Sequence, residues 1–145
     1  MFVVDANLLI YAAIRESHQH ERAQRLVQGW GASTEAWSVT WSIIYEFLSV
    51  STRRSIYTRP LSFSDSWSFI QTLRTSPSFK ILAETERHPE VIEELVHEYP
   101  QMSGTRFHDL HIAAMMREHG ITDIRTADTD FHQFKFLRVT NPLTR

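Results

Sequence analysis

The sequence predicts an α/β fold, a mainly parallel sheet of about four or five strands flanked by helices. Two observations carry this. Short apolar runs alternate with stretches of helical period along the whole chain, the pattern of strands joined by crossover helices. No internal repeat, low-complexity tract or long linker divides the 145 residues. Residues 1–145 are therefore expected to form one domain around one core, burying roughly 70% of the unfolded surface.

Phe2 to Val4 is an unbroken apolar run ending at Asp5, as expected of a strand buried on both faces of a parallel sheet. A helix from about Ala6 to Ile14 follows. His20 to Gln28 places Ala23, Leu26 and Val27 on one side of a second helix, with Gly29 as its expected stop. Trp37 to Thr40 is short and β-prone. It leads into WSIIYEFLSVSTR, where Ile43, Ile44, Phe47 and Leu48 recur at helical spacing. Pro60 breaks the chain, and Ser62 or Ser64 caps a helix to about Thr75, with Trp67, Ile70 and Leu73 inward.

Phe79 to Leu82 reads as another strand. Pro89 opens the helix PEVIEELVHEY, whose core stripe is Val91, Ile92, Leu95 and Val96, and Pro100 and Gly104 close it. From Phe107 to His119, Leu110, Ala113 and Ala114 mark a helix stopped by Gly120. Ile121 to Thr126 and Leu137 to Thr140 then read as strands.

The composition narrows the function. Hydrophobic residues are 42% and charged residues 22%, an ordinary globular balance that favours neither disorder nor a fibre. The absence of cysteine excludes disulfide scaffolds, Cys-ligated zinc and thiol catalysis, and it fits a reducing cytoplasm. MFVVDANLLIYAAI lacks the basic start of a secretory leader, and no apolar run reaches the roughly 20 residues of a bilayer span, so a soluble chain without a membrane partner is expected. A formal net charge of -2 is unusual for a protein that grips nucleic acid through phosphate contacts alone. Such a role needs metal or a local basic patch. The candidates for a patch are Arg53, Arg54 and Arg59, clustered after a predicted helix, and Arg106 beside Asp109; a solvated loop is the plain alternative.

Parallel sheets place ligands beyond the carboxyl ends of their strands. Asp5 stands there after the first strand, and Asp128 after the strand ITDIRT. A carboxylate between an apolar strand and an apolar helix is costly unless a cation or donor compensates it, although Asp is also a good helix N-cap. Glu46 is the one charged residue of its helix and borders the apolar stripe. Asp109 falls in the first turn of its helix, where the dipole favours negative charge. The segment TADTDF adds Asp128 and Asp130, with Thr126 able to hydrogen-bond a carboxylate or a water. Taken together, carboxylates without a thiol or a triad serine suit a hard cation such as Mg²⁺ or Mn²⁺, which can polarise a phosphoryl oxygen and activate water. His108 and His111 flank Asp109, but their spacing does not make the helical pair of a zinc site. Trp30, Trp37, Trp41 and Trp67 are expected to pack in the core rather than to stack on bases.

In order and spacing, VDANLLIYA, the acid of VTWSIIYEFL, HDLHIAAMMREHG, TADTDF and the closing NPL resemble PIN-domain proteins of the VapC toxin type. Each motif is short, and it is their ordered combination over essentially the whole chain that is specific. The resemblance implies a PIN fold, a Mg²⁺- or Mn²⁺-dependent endoribonuclease, a homodimer and neutralisation by a small cognate antitoxin of the VapB type. It makes Asp5, Glu46, Asp109 and Asp128 the metal-binding and catalytic acids, with Glu46 acting directly or through water. Asp130 is an additional acid, and Asn7 and Thr126 are supporting residues. His108 and His111 are additions that the family pattern does not assign.

Besides a DNA-directed nuclease, which the same metal chemistry would serve, two other readings remain at this stage. The dyad His108–Asp109 suits an HD-type phosphohydrolase, although that fold is all-helical and the β-like segments oppose it. A non-catalytic module that binds RNA or an antitoxin is the other.

Overall fold

The computed structural model describes residues 1–144. Five strands, β1 (Phe2–Val4), β2 (Trp37–Thr40), β3 (Phe79–Leu82), β4 (Asp123–Arg125) and β5 (Arg138–Thr140), form one sheet in the order β3-β2-β1-β4-β5. Every pairing is parallel. Six helices connect them: α1 (Ala6–Ala13), α2 (His20–Ala32), α3 (Trp41–Ser51), α4 (Phe63–Arg74), α5 (His88–Glu98) and α6 (Arg106–Glu118). A short 3-10 turn covers Asp130–Gln133. The predicted α/β class and largely parallel sheet are what the structure contains, with five strands.

The central strand β1 is completely buried, as its uninterrupted apolar run requires. β2 lies on one side of it and β4 on the other, so the chain reverses its direction of travel across the sheet at β1. Such a switch point leaves a crevice at the carboxyl ends of the strands involved. Hydrogen bonds continue the ladder past the strand ends, from the Asp5 N–H to the Arg125 carbonyl and from the Thr126 N–H to the Thr140 carbonyl, both at 3.0 Å. The two segments that leave β1 and β4 are thereby held side by side.

The core is built on both faces of this sheet. Trp37 of β2 is fully enclosed, with its ring 5.7 Å from Trp30 of α2 and 4.8 Å from Phe79 of β3. Phe2 meets Trp30 edge to face at 5.4 Å. These contacts correct the expected end of α2. The helix passes through Gly29 and Gly31 to Ala32, because one more turn is needed to bring Trp30 onto the core. Burying an indole is worth about 4–6 kcal/mol at 25 cal/mol per Å². That outweighs the ~1 kcal/mol that each helical glycine costs.

Caps follow the sequence closely. The Thr40 hydroxyl accepts from the Ile43 N–H at 3.1 Å to start α3, and the Ser62 hydroxyl accepts from the Asp65 N–H at 3.0 Å to start α4. α6 ends before Gly120, whose φ of +69° is the left-handed conformation that glycine adopts without strain. The buried Glu118 of α6 accepts hydrogen bonds from the Thr85 N–H and hydroxyl and pairs with His88 at 2.9 Å, pinning the loop between β3 and α5. No helix among the described residues is long and apolar enough to cross a membrane.

Candidate active site

The switch point brings the predicted acids together. Asp5 caps α1, with its Oδ1 accepting from the Ala6 N–H at 2.8 Å, while its Oδ2 accepts from the Thr126 hydroxyl at 2.7 Å. Thr126 is fully buried and joins the two sides of the crevice: its Oγ1 also accepts from the Asn7 amide at 3.1 Å and from the Asp128 N–H at 3.0 Å. Asn7 completes the frame, its Oδ1 accepting from the Ala127 N–H at 3.2 Å. Asn7 and Thr126 therefore fix the orientation of Asp5 and the path of the loop that carries Asp128 and Asp130. The Asp128 carboxylate in turn accepts from the Asp130 N–H at 3.1 Å.

Above this frame lies a cleft of about 910 Å³, whose walls include Glu46 of α3, Asp109 of α6, and Asp128 and Asp130 of the loop after β4. Glu46 is on α3 because that helix directly follows β2, and Asp109 is one turn into α6. Acids from α3, α6 and the loop after β4 thus converge at the carboxyl end of the sheet, near enough to Asp5 at the end of β1 for its charge to act on Glu46 and Asp109.

Their electrostatics are unfavourable as they stand. Burial raises the Asp5 carboxyl above its ordinary range, against the pull of the Thr126 and Ala6 hydrogen bonds, and the charges of Asp128 and Asp130 push it further. Glu46 is raised by burial and then by Asp5 and Asp109. Burial, together with Asp5, Asp130 and Asp128, pushes Asp109 up to about 6. Among the described residues, no ion pair with lysine, arginine or histidine neutralises any of these five acids. Carboxylates gathered in this way are the donor set that a hard divalent cation takes. Among the described residues, no three acidic or imidazole side chains are already drawn into a closed metal-binding group. Asp5, Glu46, Asp109 and Asp128 are the side chains that could hold such a cation.

A consequence for stability follows. An acid whose folded pKa is raised holds its proton more tightly in the native state, so the metal-free chain gains stability as pH falls through about 6, levelling off near 4. Glu84 and Glu98 are held below their ordinary range, chiefly by hydrogen bonds from His111 and Arg117, and their opposite effect sets in near the unfolded value of 4.5, at the lower end of that window and below the pH 7 to 5 interval. Because Asp109 is half-buried, the gain between pH 7 and pH 5 should be on the order of 1 kcal/mol after solvent screening. Thermal unfolding in EDTA at the two pH values checks this. Added Mg²⁺ should shrink the difference by favouring the ionised acids.

The other candidates separate in space. Arg106 lines the cleft, its guanidinium held by the Gln133 side-chain oxygen at 3.0 and 2.6 Å. Arg53 donates to the Ser49 hydroxyl at 2.8 Å, at the edge of the cleft. Arg54 is exposed on the turn after α3. Arg59 borders a different pocket, where its N–H and that of Thr58 donate to the Glu16 carboxylate. The arginine cluster expected from sequence proximity is therefore not one patch. His108 lines the cleft, whereas His111 is not among its lining residues and bridges Ser42 of the cleft wall at 3.1 Å to Glu84 at 2.8 Å. Sequence reasoning passed over Ser42 and Ser49. Their signal was the spacing i, i+4, i+7 with Glu46, which puts all three on one stripe of α3 facing the cleft.

Thr126→Val tests the frame, since it keeps the volume and deletes the hydroxyl. It should cost about 1–3 kcal/mol of stability by stranding buried polar partners. Activity should fall about 10–100-fold, as when the supporting contacts of a metal ligand are removed. Urea unfolding and steady-state rates measure both.

A parallel sheet with a carboxylate-lined cleft at its switch point defines an α/β protein of the acidic-cleft class. The PIN domain family profile matches residues 2–137, so the chain belongs to the PIN domain family. It is 29% identical over 143 residues to Ribonuclease VapC43 of Mycobacterium tuberculosis, covering 99% of this chain and 96% of that relative. Two solved structures share the fold. Mycobacterium tuberculosis VapC20, a Sarcin-Ricin loop cleaving toxin, aligns with a TM-score of 0.63 and 19% identity over 92% of this chain and 94% of its own. A toxin-antitoxin complex from Klebsiella pneumoniae aligns with a TM-score of 0.59 and 17% identity over 98% of each chain. The five-stranded sheet removes the all-helical phosphohydrolase reading.

Proposed function

We propose that this chain is a metal-dependent endoribonuclease, the toxin of a toxin-antitoxin pair, that hydrolyses RNA phosphodiester bonds in the cytoplasm. The observation that carries the reading is the convergence of Glu46, Asp109 and Asp128 on one cleft beside Asp5, with Asp5, Glu46 and Asp109 raised by burial and by neighbouring acids and no neutralising cation among the described residues. Membership of the PIN domain family and the 29% identity to a relative named as a VapC ribonuclease support it. In this reading residues 1–145 act as one domain, two copies form a homodimer, and a small antitoxin of the VapB type neutralises the activity.

Asp5, Asp109 and Asp128 would hold Mg²⁺ or Mn²⁺, with Glu46 directly or through water and Asp130 as an additional acid. The bound cation supplies a Lewis acid for the phosphoryl oxygen and lowers the pKa of water. Asp5 presents a carboxylate whose direction is set by Ala6 and Thr126 before anything binds. Arg106, positioned by Gln133, offers a positive charge to the RNA backbone from the cleft wall. Hydrolysis leaves a 5′-phosphate and a 3′-hydroxyl.

Incubation of the purified chain with RNA in Mg²⁺, Mn²⁺ or EDTA, followed by mapping of the ends, tests the reading. Discrete cuts with 5′-phosphate ends are expected in either metal, and none in EDTA. RNA binding without cleavage in any metal would overturn it in favour of a non-catalytic module. Cleavage of DNA in preference to RNA would change the substrate.

A further inference from the structure

α3 carries two neighbouring stripes. Ser42, Glu46 and Ser49 face the acidic cleft, while Trp41, Tyr45 and Leu48, one residue earlier in each case, face an adjoining groove of about 420 Å³. Tyr45 borders both. The groove is ringed by aromatic side chains: Trp41, Tyr45 and Phe63 are 43%, 68% and 71% exposed, and Trp67 closes the wall. The expectation that Trp41 packs in the core is thereby corrected, since α3 buries Ile43, Ile44 and Phe47 and leaves Trp41 on the outer face. No charged residue lines the groove among the described residues.

From the continuity of this aromatic groove with the acidic cleft through Tyr45, we infer that it is the base-binding subsite for single-stranded RNA, with unpaired bases stacked on Trp41, Tyr45 and Phe63. The inference rests on the endoribonuclease reading and names how its substrate is held. Two features favour a nucleotide base over a protein side chain. Among the described residues, Arg106 is the only lysine or arginine lining the cleft, and the chain carries a net charge of -2, so phosphate contacts alone cannot supply much affinity. Stacking on aromatic rings supplies it without charge and tolerates any base. The geometry also suits a strand crossing α3. Trp41 and Tyr45 are one turn apart, about 6 Å along the helix axis, so bases follow one stripe while the backbone lies over the other, at Glu46. Unpaired bases are also the part of RNA that proteins most readily splay out and stack.

The test uses the variants Trp41→Leu and Tyr45→Leu, which keep apolar bulk and lose the ring, and Tyr45→Phe, which keeps it. Binding of a fluorescent single-stranded oligoribonucleotide is measured in EDTA, and kcat and KM for the same oligonucleotide in Mg²⁺. Each leucine variant should weaken binding and raise KM roughly five- to a hundredfold, with little change in kcat and an unchanged dependence on salt, whereas Tyr45→Phe stays near wild type. Abasic residues placed successively along the oligonucleotide should reproduce the loss at the positions that stack. RNA cleavage with unaltered KM in both leucine variants would overturn the inference and leave the endoribonuclease reading standing. Ring-dependent binding in EDTA without any cleavage in metal would uphold the subsite and sink that reading, and the absence of binding in both assays would sink both. A leucine variant that changes the oligomeric state or the hold on a partner protein, with RNA kinetics intact, would assign the groove to that protein instead.

Discussion

Asp5→Asn is expected to reduce RNA cleavage by more than about 100-fold, exceeding what is lost when a residue merely supporting a metal ligand is removed. The substitution keeps the size of the side chain and an oxygen for the Ala6 N–H, so α1 remains capped. It removes a buried negative charge that burial, Asp128 and Asp130 all disfavour. It also turns the acceptor facing Thr126 into a donor, and the hydroxyl there, already accepting from Asn7 and Asp128, must rearrange. These effects oppose one another. The melting temperature of the metal-free variant should therefore stay within a few degrees of wild type by the usual conversion of about 1 kcal/mol. Mg²⁺ should raise the melting temperature of the wild type and not that of the variant, because ligand binding stabilises only where the site survives. Cleavage by a pure Asp5→Asn sample at the wild-type rate would remove Asp5 from the catalytic set.

Trp37→Ala should have the opposite profile. Trp37 is fully buried on β2, next to the central strand, between the rings of Trp30 and Phe79. Truncation of an aromatic residue in such a place costs about 3–5 kcal/mol, a large share of the 5–15 kcal/mol typical of a domain. The melting temperature should fall by roughly 10 °C or more. At low temperature the folded fraction should keep its KM, since Trp37 does not border the cleft. Among the described residues the indole N–H of Trp37 has no hydrogen-bond partner. Trp37→Phe should therefore lose volume but no bond, and cost clearly less than the alanine change. Equal losses from the two substitutions, read from urea midpoints, would mean that the indole nitrogen contributes through a contact that the fold does not reveal.

The two variants separate what holds the fold from what works in the cleft, and the same division explains how far the sequence could be read. Elements with strong local signals were legible. The unbroken run Phe2–Val4, the Ser62 cap, Pro89 in the first turn of α5 and Gly120 after α6 all act through their own backbone neighbours. Gly29 misled because a local stop signal lost to a distant contact, the seating of Trp30 on Phe2 and Trp37. Trp41 misled for a related reason. Its helix has more apolar faces than the core can cover, and which one is left outside depends on where α4 and the sheet lie. The cluster of Arg53, Arg54 and Arg59 misled because closeness along the chain is not closeness in space once the Arg59 backbone is tied to Glu16 beside a different pocket.

Residue type and order by themselves determined the alternation of strands and helices, the placement of Asp5 and Asp128 just past strand ends, and the isolation of Glu46 in an uncharged helix, since these follow from periodicity, capping and desolvation over a few residues. Only the tertiary structure decided that Thr126 clamps Asp5 across 121 positions, that Asp109 is driven up to about 6 by burial and by acids from two other segments, and that Tyr45 joins the cleft to an aromatic groove. Those properties depend on distances between elements, which parallel pairing of β1 with β4 and packing of α3 beside α6 set, and which no local pattern encodes.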